Sequence, residues 1–249
     1  MKNMKKILTV ACAMALSAAI AVGGTLAYLT KTTETVTNTF TVGKVNITLN
    51  EAAVNEDGKP VDASRNVVTD LATAHRVTEN DYHLLPGHNY TKDPTVYVTK
   101  GSEECYVRMF VTITKSAAWD AIFSAHAGEF TLTDIVKGYD ADAWLYQGND
   151  EDKAAPNTRT YEFWYKDKVT NIPANAEGNS DKALKALFTD IQVPGILTNA
   201  ELETVSGFHI YVVAQAIQAD GFTGTNAAAS AFGAAPAITG SDLIPSAQS

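Results

Sequence analysis

Alternation with period two dominates the chain. In Cys105 to Thr114, CYVRMFVTIT, the residues Cys105, Val107, Met109, Val111 and Ile113 share one parity, while Tyr106, Arg108, Phe110 and Thr112 share the other. That pattern predicts a β-strand whose second face is mixed enough to be partly covered. Phe208 to Gln218, FHIYVVAQAIQ, is an apolar run of the kind expected of a central strand, and Val96 and Val98 alternate with Tyr97 and Thr99 behind the turn-forming Pro86-Gly87 pair. Between Thr131 and Tyr165 three further pieces, TLTDIV, WLYQ and TYEFWYK, read as strands, with Gln147 to Asn157 as an acidic, turn-rich run. Upstream, Val36, Phe40 and Val42 alternate with Thr35, Thr37, Thr39 and Thr41. The parity then shifts at Gly43, because Val45, Ile47 and Leu49 fall on odd numbers. A bulge or bend at Gly43 keeps both apolar sets on one face.

Helical spacing is confined to short stretches. Trp119, Ile122 and Phe123 predict a helix over Ala117 to His126, Leu184, Leu187 and Phe188 predict one over Asp181 to Phe188, and Asn199 to Val205 predicts a further turn. Asn50 to Arg65 reads as a long polar loop. After Gly221 the chain is rich in Ala, Gly, Thr and Ser, which predicts a loose tail with at most a short helix around Ala227 to Phe232. Many strands, few helices and no βαβ rhythm predict an all-β fold, an antiparallel β-sandwich of jelly-roll or Greek-key type with short helical insertions. The expected organisation is a signal peptide over 1–27, an N-terminal arm over 28–42, a sandwich over 43–222 and a low-complexity flexible tail over 223–249.

The signal peptide rests on Lys2, Lys5 and Lys6 ahead of an uncharged run from Ile7 to Ala27. The strongly apolar part, Ile7 to Val22, is shorter than the ~20 residues that span a bilayer. Gly23-Gly24 and Thr25-Leu26-Ala27 supply small residues for cleavage between Ala27 and Tyr28. Cleavage removes Cys12 and three of the 19 basic residues, leaving 28 acidic residues against 16 basic ones and a formal net charge of -12. Such a chain is not expected to bind nucleic acid or anionic lipid, and it meets a membrane only before cleavage. The remaining Cys105 has no internal partner for a disulfide and reads as a small core hydrophobe.

The run GGTLAYLTKTTETVTNTFTVG resembles the region processed by the SipW type of signal peptidase, whose substrates show a G-T-x-A-Y/A-F motif followed by N-T-F-T-x-G. The blocks LLPGHNYTKDPTVYVTKGSEECYVRMFV and HIYVVAQAIQADGF resemble the TasA/camelysin (CalY) family of secreted Gram-positive matrix proteins. Leu29 and Lys31 depart from that pattern, where Phe and an acidic residue are usual, and the stretch from about 115 to 205 does not align. The resemblance implies a jelly-roll subunit that polymerises into extracellular biofilm fibres after signal removal. The freed N-terminal strand of one copy, with Val36, Phe40 and Val42 facing inward, would complete a sheet of the next. Implied partners are the chain itself, the signal peptidase and other matrix proteins, at the cell surface or in the matrix. The arm is compatible with this on its own terms, as an extended Thr-rich segment suited to strand addition.

Two other classes stay open. Camelysin is also described as a cell-surface metalloprotease, but His75, His83, His88, His126 and His209 form no H-E-x-x-H motif, and His83 and His88 flank a turn. A monomeric adhesion or carbohydrate-binding module would use Tyr161, Phe163, Trp164 and Tyr165. The oxygen-rich run Asn149 to Asp152 could suit calcium but lacks EF-hand spacing. The expectation is therefore no enzyme, no cofactor and no metal.

Overall fold

The computed structural model describes residues 44–83, 85–126, 128–170 and 181–244. All pairing between named strands is antiparallel, in three sheets. The first has the order β2-β1-β4-β9, built from β1 (Ile47–Ala52), β2 (Arg76–Val77), β4 (Thr95–Val98) and β9 (Lys182–Ala183). A small sheet joins β3 (Asn89–Thr91), β10 (Asp190–Gln192) and β6 (Val136–Lys137). The largest has the order β11-β5-β8-β7, from β5 (Cys105–Thr114), β7 (Trp144–Glu151), β8 (Thr158–Tyr165) and β11 (Ile210–Gln218).

One core lies between these sheets. The odd-numbered residues of β5 meet Val96 and Val98 of β4, Ile191 of β10, and Tyr161 and Phe163 of β8, with Ile47 and Leu49 of β1 packed against them. Helix α1 (Ser116–His126) closes one end, its buried Trp119 stacked on Phe130 at 5.4 Å and edge-on to Phe208 at 5.1 Å. Ring pairs of this kind add roughly 0.5–1.5 kcal/mol to the burial of their area. The start of α1 is capped from a distance. In the turn between β7 and β8, the Asn157 carbonyl accepts from Ser116 N, and Asn157 Oδ1 accepts from Ala117 N at 2.9 Å. Helix α2 (Leu132–Ile135) and helix α3 (Asn199–Val205) each begin with a capping box, Thr131 with Asp134 and Thr198 with Glu201.

Several expectations change here. TLTDIV is a helical turn followed by the two residues of β6, because the Thr131–Asp134 cap satisfies the first amides locally. Strand β7 runs on through the acidic stretch to Glu151 instead of stopping at Gln147, since that edge faces water and tolerates charge. Asp181 to Phe188 is extended, not helical. Lys182 and Ala183 pair with β4, Leu184 N bonds to the Val96 carbonyl and Leu187 N to the Pro94 carbonyl, so an extended path buries Leu184, Leu187 and Phe188 in the core. Tertiary pairing outweighs helix propensity here. Asn50 to Arg65 is ordered: β1 reaches Ala52, isolated bridges join Val54 to Pro60 and Val61 to Val67, and Val61 is buried.

The Ala-rich C-terminal segment also differs from a loose tail. Helix α4 (Ala227–Ala234) and helix α5 (Gly240–Leu243) lie on the outer face of the largest sheet, with Ala231, Phe232 and Leu243 buried. Phe232 lies 5.0 Å from the Trp164 ring and 4.7 Å from the Arg108 guanidinium, which bonds to Glu162 at 2.9 Å and to Gln215. A Cβ on Gly240 would come within 2.2 Å of the Ala154 carbonyl oxygen, so no larger residue fits that contact. With Phe232 and its neighbours above it, β5 is covered on both faces.

A buried charge lattice joins β1, β2 and the β3–β4 connection. Lys92 Nζ contacts Glu51 Oε2 at 2.6 Å, Arg76 Nη1 contacts Asp93 Oδ2 at 2.6 Å, and Asp93 Oδ1 accepts from Ala52 N. Removing one partner of a buried pair strands the other, at about 3–5 kcal/mol, whereas exposed pairs contribute about 1 kcal/mol or less. Lys92→Ala is expected to lower unfolding free energy in urea by about 3–5 kcal/mol. Lys153→Ala, which frees the exposed Asp150, should change it by about 1 kcal/mol or less. Equal effects of the two would show that the Glu51–Lys92 pair is not desolvated.

A pH-dependent contact joins α1 to α3. The Thr198 amide and hydroxyl, then His126, hold the Glu201 carboxyl at about 2, below its usual 4.5. A depressed carboxylate stabilises the fold above its unfolded value and loses that contribution as pH falls toward the folded one. Glu201→Ala should therefore lower Tm at pH 7, and the difference from the unmodified chain should close between pH 4.5 and 2. A difference that persists at pH 2 would assign the effect to contacts of the uncharged side chain instead, since alanine itself favours the helix.

Candidate assembly edge

The largest sheet has two edges of opposite character. Strand β7 forms one of them, carries a bulge between Tyr146 and Gly148, and ends in Asp150 and Glu151. Bulges and charges are the usual means of keeping an edge from pairing. Strand β11 forms the other. It pairs with β5 without interruption from Ile210↔Ile113 to Gln218↔Cys105, and among the described residues no strand pairs with its far side. Its sequence IYVVAQAIQ holds no charge, proline or glycine, and Ile210 to Ile217 are all half-buried. Ile210, Val212, Ala214 and Ala216 lean on the core, while Tyr211, Val213, Gln215 and Ile217 pair with the outward residues of β5.

The neighbouring sheet adds a second open margin. Ile47 to Asn50 of β1 pair with β4, whereas β2 reaches only Glu51 and Ala52. Strand β1 approaches β11 without a ladder between them, so two unfilled backbone margins lie near each other over the core. An extended chain carrying apolar residues at every second position fits such a place, with amides and carbonyls meeting the open edge and side chains meeting the core. The expected central position of β11 is thus corrected to an edge. Its apolar character comes from core contact below and the C-terminal helices above.

The residues named for cleavage and polymerisation, Ala27, Tyr28, Val36, Phe40 and Val42, lie outside the described residues, as does the expected bend at Gly43. The other candidates disperse. His75, His83, His88 and His209 are exposed, His209 just ahead of β11 and stacked on Tyr211 at 5.4 Å, while His126 is taken by Glu201. Among the described residues no group of three or more His, Cys, Asp and Glu side chains could hold a metal. In the Asn149 to Asp152 run, Asp150 contacts Lys153 at 3.0 Å, Glu151 pairs with Arg159, and Asp152 Oδ1 accepts from Asn157 N. These carboxylates tie down the hairpin.

The aromatic strand is divided between two layers. Tyr161 and Phe163 are buried in the core, Tyr165 packs edge-on to Trp144 at 5.0 Å, and Trp164 points outward beneath Phe232 while its indole N–H donates to Glu162. None of the four is an exposed stacking platform. A shallow hollow of about 200 Å³ beside Phe110, Gly148, Lys153 and Glu162 holds charges already engaged with Asp150 and Arg108.

No family model, curated protein or solved structure matches this chain.

Cys105 heads β5 on the core face, fully buried, and burial pushes its thiol up to about 11. Only the thiolate is an efficient nucleophile, so at pH 8 this sulfur is nearly inert. With Cys12 changed to Ser, the folded chain should react with a thiol-specific disulfide reagent at least about tenfold more slowly than the same chain in 6 M guanidinium. Rapid reaction of the folded form would place Cys105 at an accessible site.

Proposed function

We propose that this chain is a secreted structural protein of an extracellular matrix, which polymerises when the N-terminal segment 28–42 of one copy adds to the sheet edge of the next. The observation that carries this reading is the unguarded edge of β11. Soluble proteins ordinarily blunt such an edge, and one left apolar beside a second open margin is suited to a strand from another copy. The segment 28–42 has the matching pattern, since Val36, Phe40 and Val42 share one parity and threonines fill the other. The resemblance to the TasA/camelysin family supports the same reading and implies a jelly-roll subunit, a SipW-type signal peptidase acting between Ala27 and Tyr28, and a place in biofilm fibres. Engaged carboxylates and scattered histidines give the metalloprotease alternative little to stand on.

Sedimentation, electron microscopy and circular dichroism on the chain beginning at Tyr28 test this directly. Filaments are expected. Removing residues 28–36 should abolish them with the β signal unchanged, and Phe40→Asp should do the same, because its carboxylate would be buried without a partner. Tyr211→Lys combined with Val213→Lys should also prevent filaments, by placing ammonium groups beside the receiving edge. Normal filaments from the truncated chain would overturn strand addition by the arm. Normal filaments from the lysine pair alone would move the receiving edge away from β11.

A further inference from the structure

The C-terminal helices are held differently from the strands they cover. Strands β1 to β11 are secured by ladders, but α4 and α5 share no ladder with the body. Gln215 Nε2 of β11 donates to the carbonyl of Pro236, in the connection between them, at 3.2 Å. Their seating is almost wholly apolar. Phe232 fills the place between Arg108 and Trp164, Ala231 and Leu243 are fully buried, and Gly240 rests on the Ala154 carbonyl. Neither helix is long enough to persist alone in water, so both depend on the face they cover.

The connection to β11 is built to turn back sharply. Ala219 N bonds to the Glu104 carbonyl, Phe222 N to the Ala219 carbonyl and Ala227 N to the Gly224 carbonyl, with Gly221 and Gly224 at φ of 85° and 88°. Left-handed backbone at two glycines reverses the chain and lays the helices on their own sheet. These turns also set the alternative. Opened to roughly 3.3–3.6 Å per residue, Ala219 to Asn226 would span on the order of 27 Å, so α4 and α5 can leave their own seat with β11 still paired.

We propose that residues 227–243 are an exchangeable clasp, and that the outer face of the β11-β5-β8-β7 sheet accepts this segment from a second copy of the chain as readily as from its own. Every copy carries the same seat and the same clasp, so exchange preserves the Phe232, Leu243 and Gly240 contacts and requires no new interface. Identical elements traded between copies are a low-cost route to association. The seat lies on a sheet face, away from backbone pairing at the β11 edge, and the proposal does not rest on the N-terminal arm.

Deleting Gly221 to Gly224 from the chain that begins at Thr37, which lacks the part of the arm needed for filaments, tests the clasp, because the shortened connection no longer reaches its own seat. Light scattering after size exclusion is expected to give twice the monomer mass, with the β signal retained and the clasp resistant to protease. Excess peptide 223–244 should return it to monomer, whereas peptide 28–42 should not. Phe232→Ala added to the deletion should yield a monomer with a cleavable C-terminus. A monomeric deletion variant whose clasp is cut freely overturns the proposal, as does loss of the β signal, which would make the segment an inseparable part of the core. Dissociation by peptide 28–42 would assign the dimer to strand pairing and overturn it too.

Discussion

Strand β5 is the element on which the others depend. It is hydrogen-bonded along both edges, to β11 and to β8, and covered on both faces, by the core and by the layer that includes Phe232. Burial on four sides leaves no water to satisfy its amides and carbonyls, so both neighbours must be in register. That requirement fixes which side chains of β8 and β11 face inward. It also places Arg108, a charge in the middle of the outer face, where Glu162, Gln215 and two aromatic rings compensate it.

Much of this was legible in the chain, for a physical reason. Period-two alternation in CYVRMFVTIT and TYEFWYK reports one buried face directly, and Trp119, Ile122 and Phe123 report a helix lying on a core. What could not be read was anything set by partners distant in sequence. Leu184, Leu187 and Phe188 sit at helical spacing, yet β4 offers backbone bonds that hold them extended. The apolar run of β11 has the composition of a central strand because helices cover one of its faces, and strand order is not written in composition. Ala, Gly and Ser near the C-terminus suggested looseness, but small residues also permit close packing, as Gly240 does against Ala154.

The candidate site was legible only on one side. The alternating arm could be described from its residues, whereas the receiving edge required knowing that β11 has a neighbour on one flank and that β7 guards the opposite margin. The histidines and the acidic run gave ambiguous signals, since a metal ligand and a structural hydrogen bond call for the same side chains. Geometry separates the two uses. Asp150, Glu151 and Asp152 each have a partner within the β7–β8 hairpin or beside it.

The cap of α1 ties together two parts of the chain that lie far apart in sequence. Its first amides are received by Asn157, some forty positions along the chain, at the tip of a hairpin that joins β7 to β8. The next two amides, of Ala118 and Trp119, meet the Lys115 carbonyl locally, so only the first two depend on the distant residue. Closure of the hairpin supplies the acceptor and fixes the direction in which the helix leaves the sheet. Helix and hairpin are thus coupled, because whatever opens the β7–β8 turn also strips α1 of the acceptor for its first two amides.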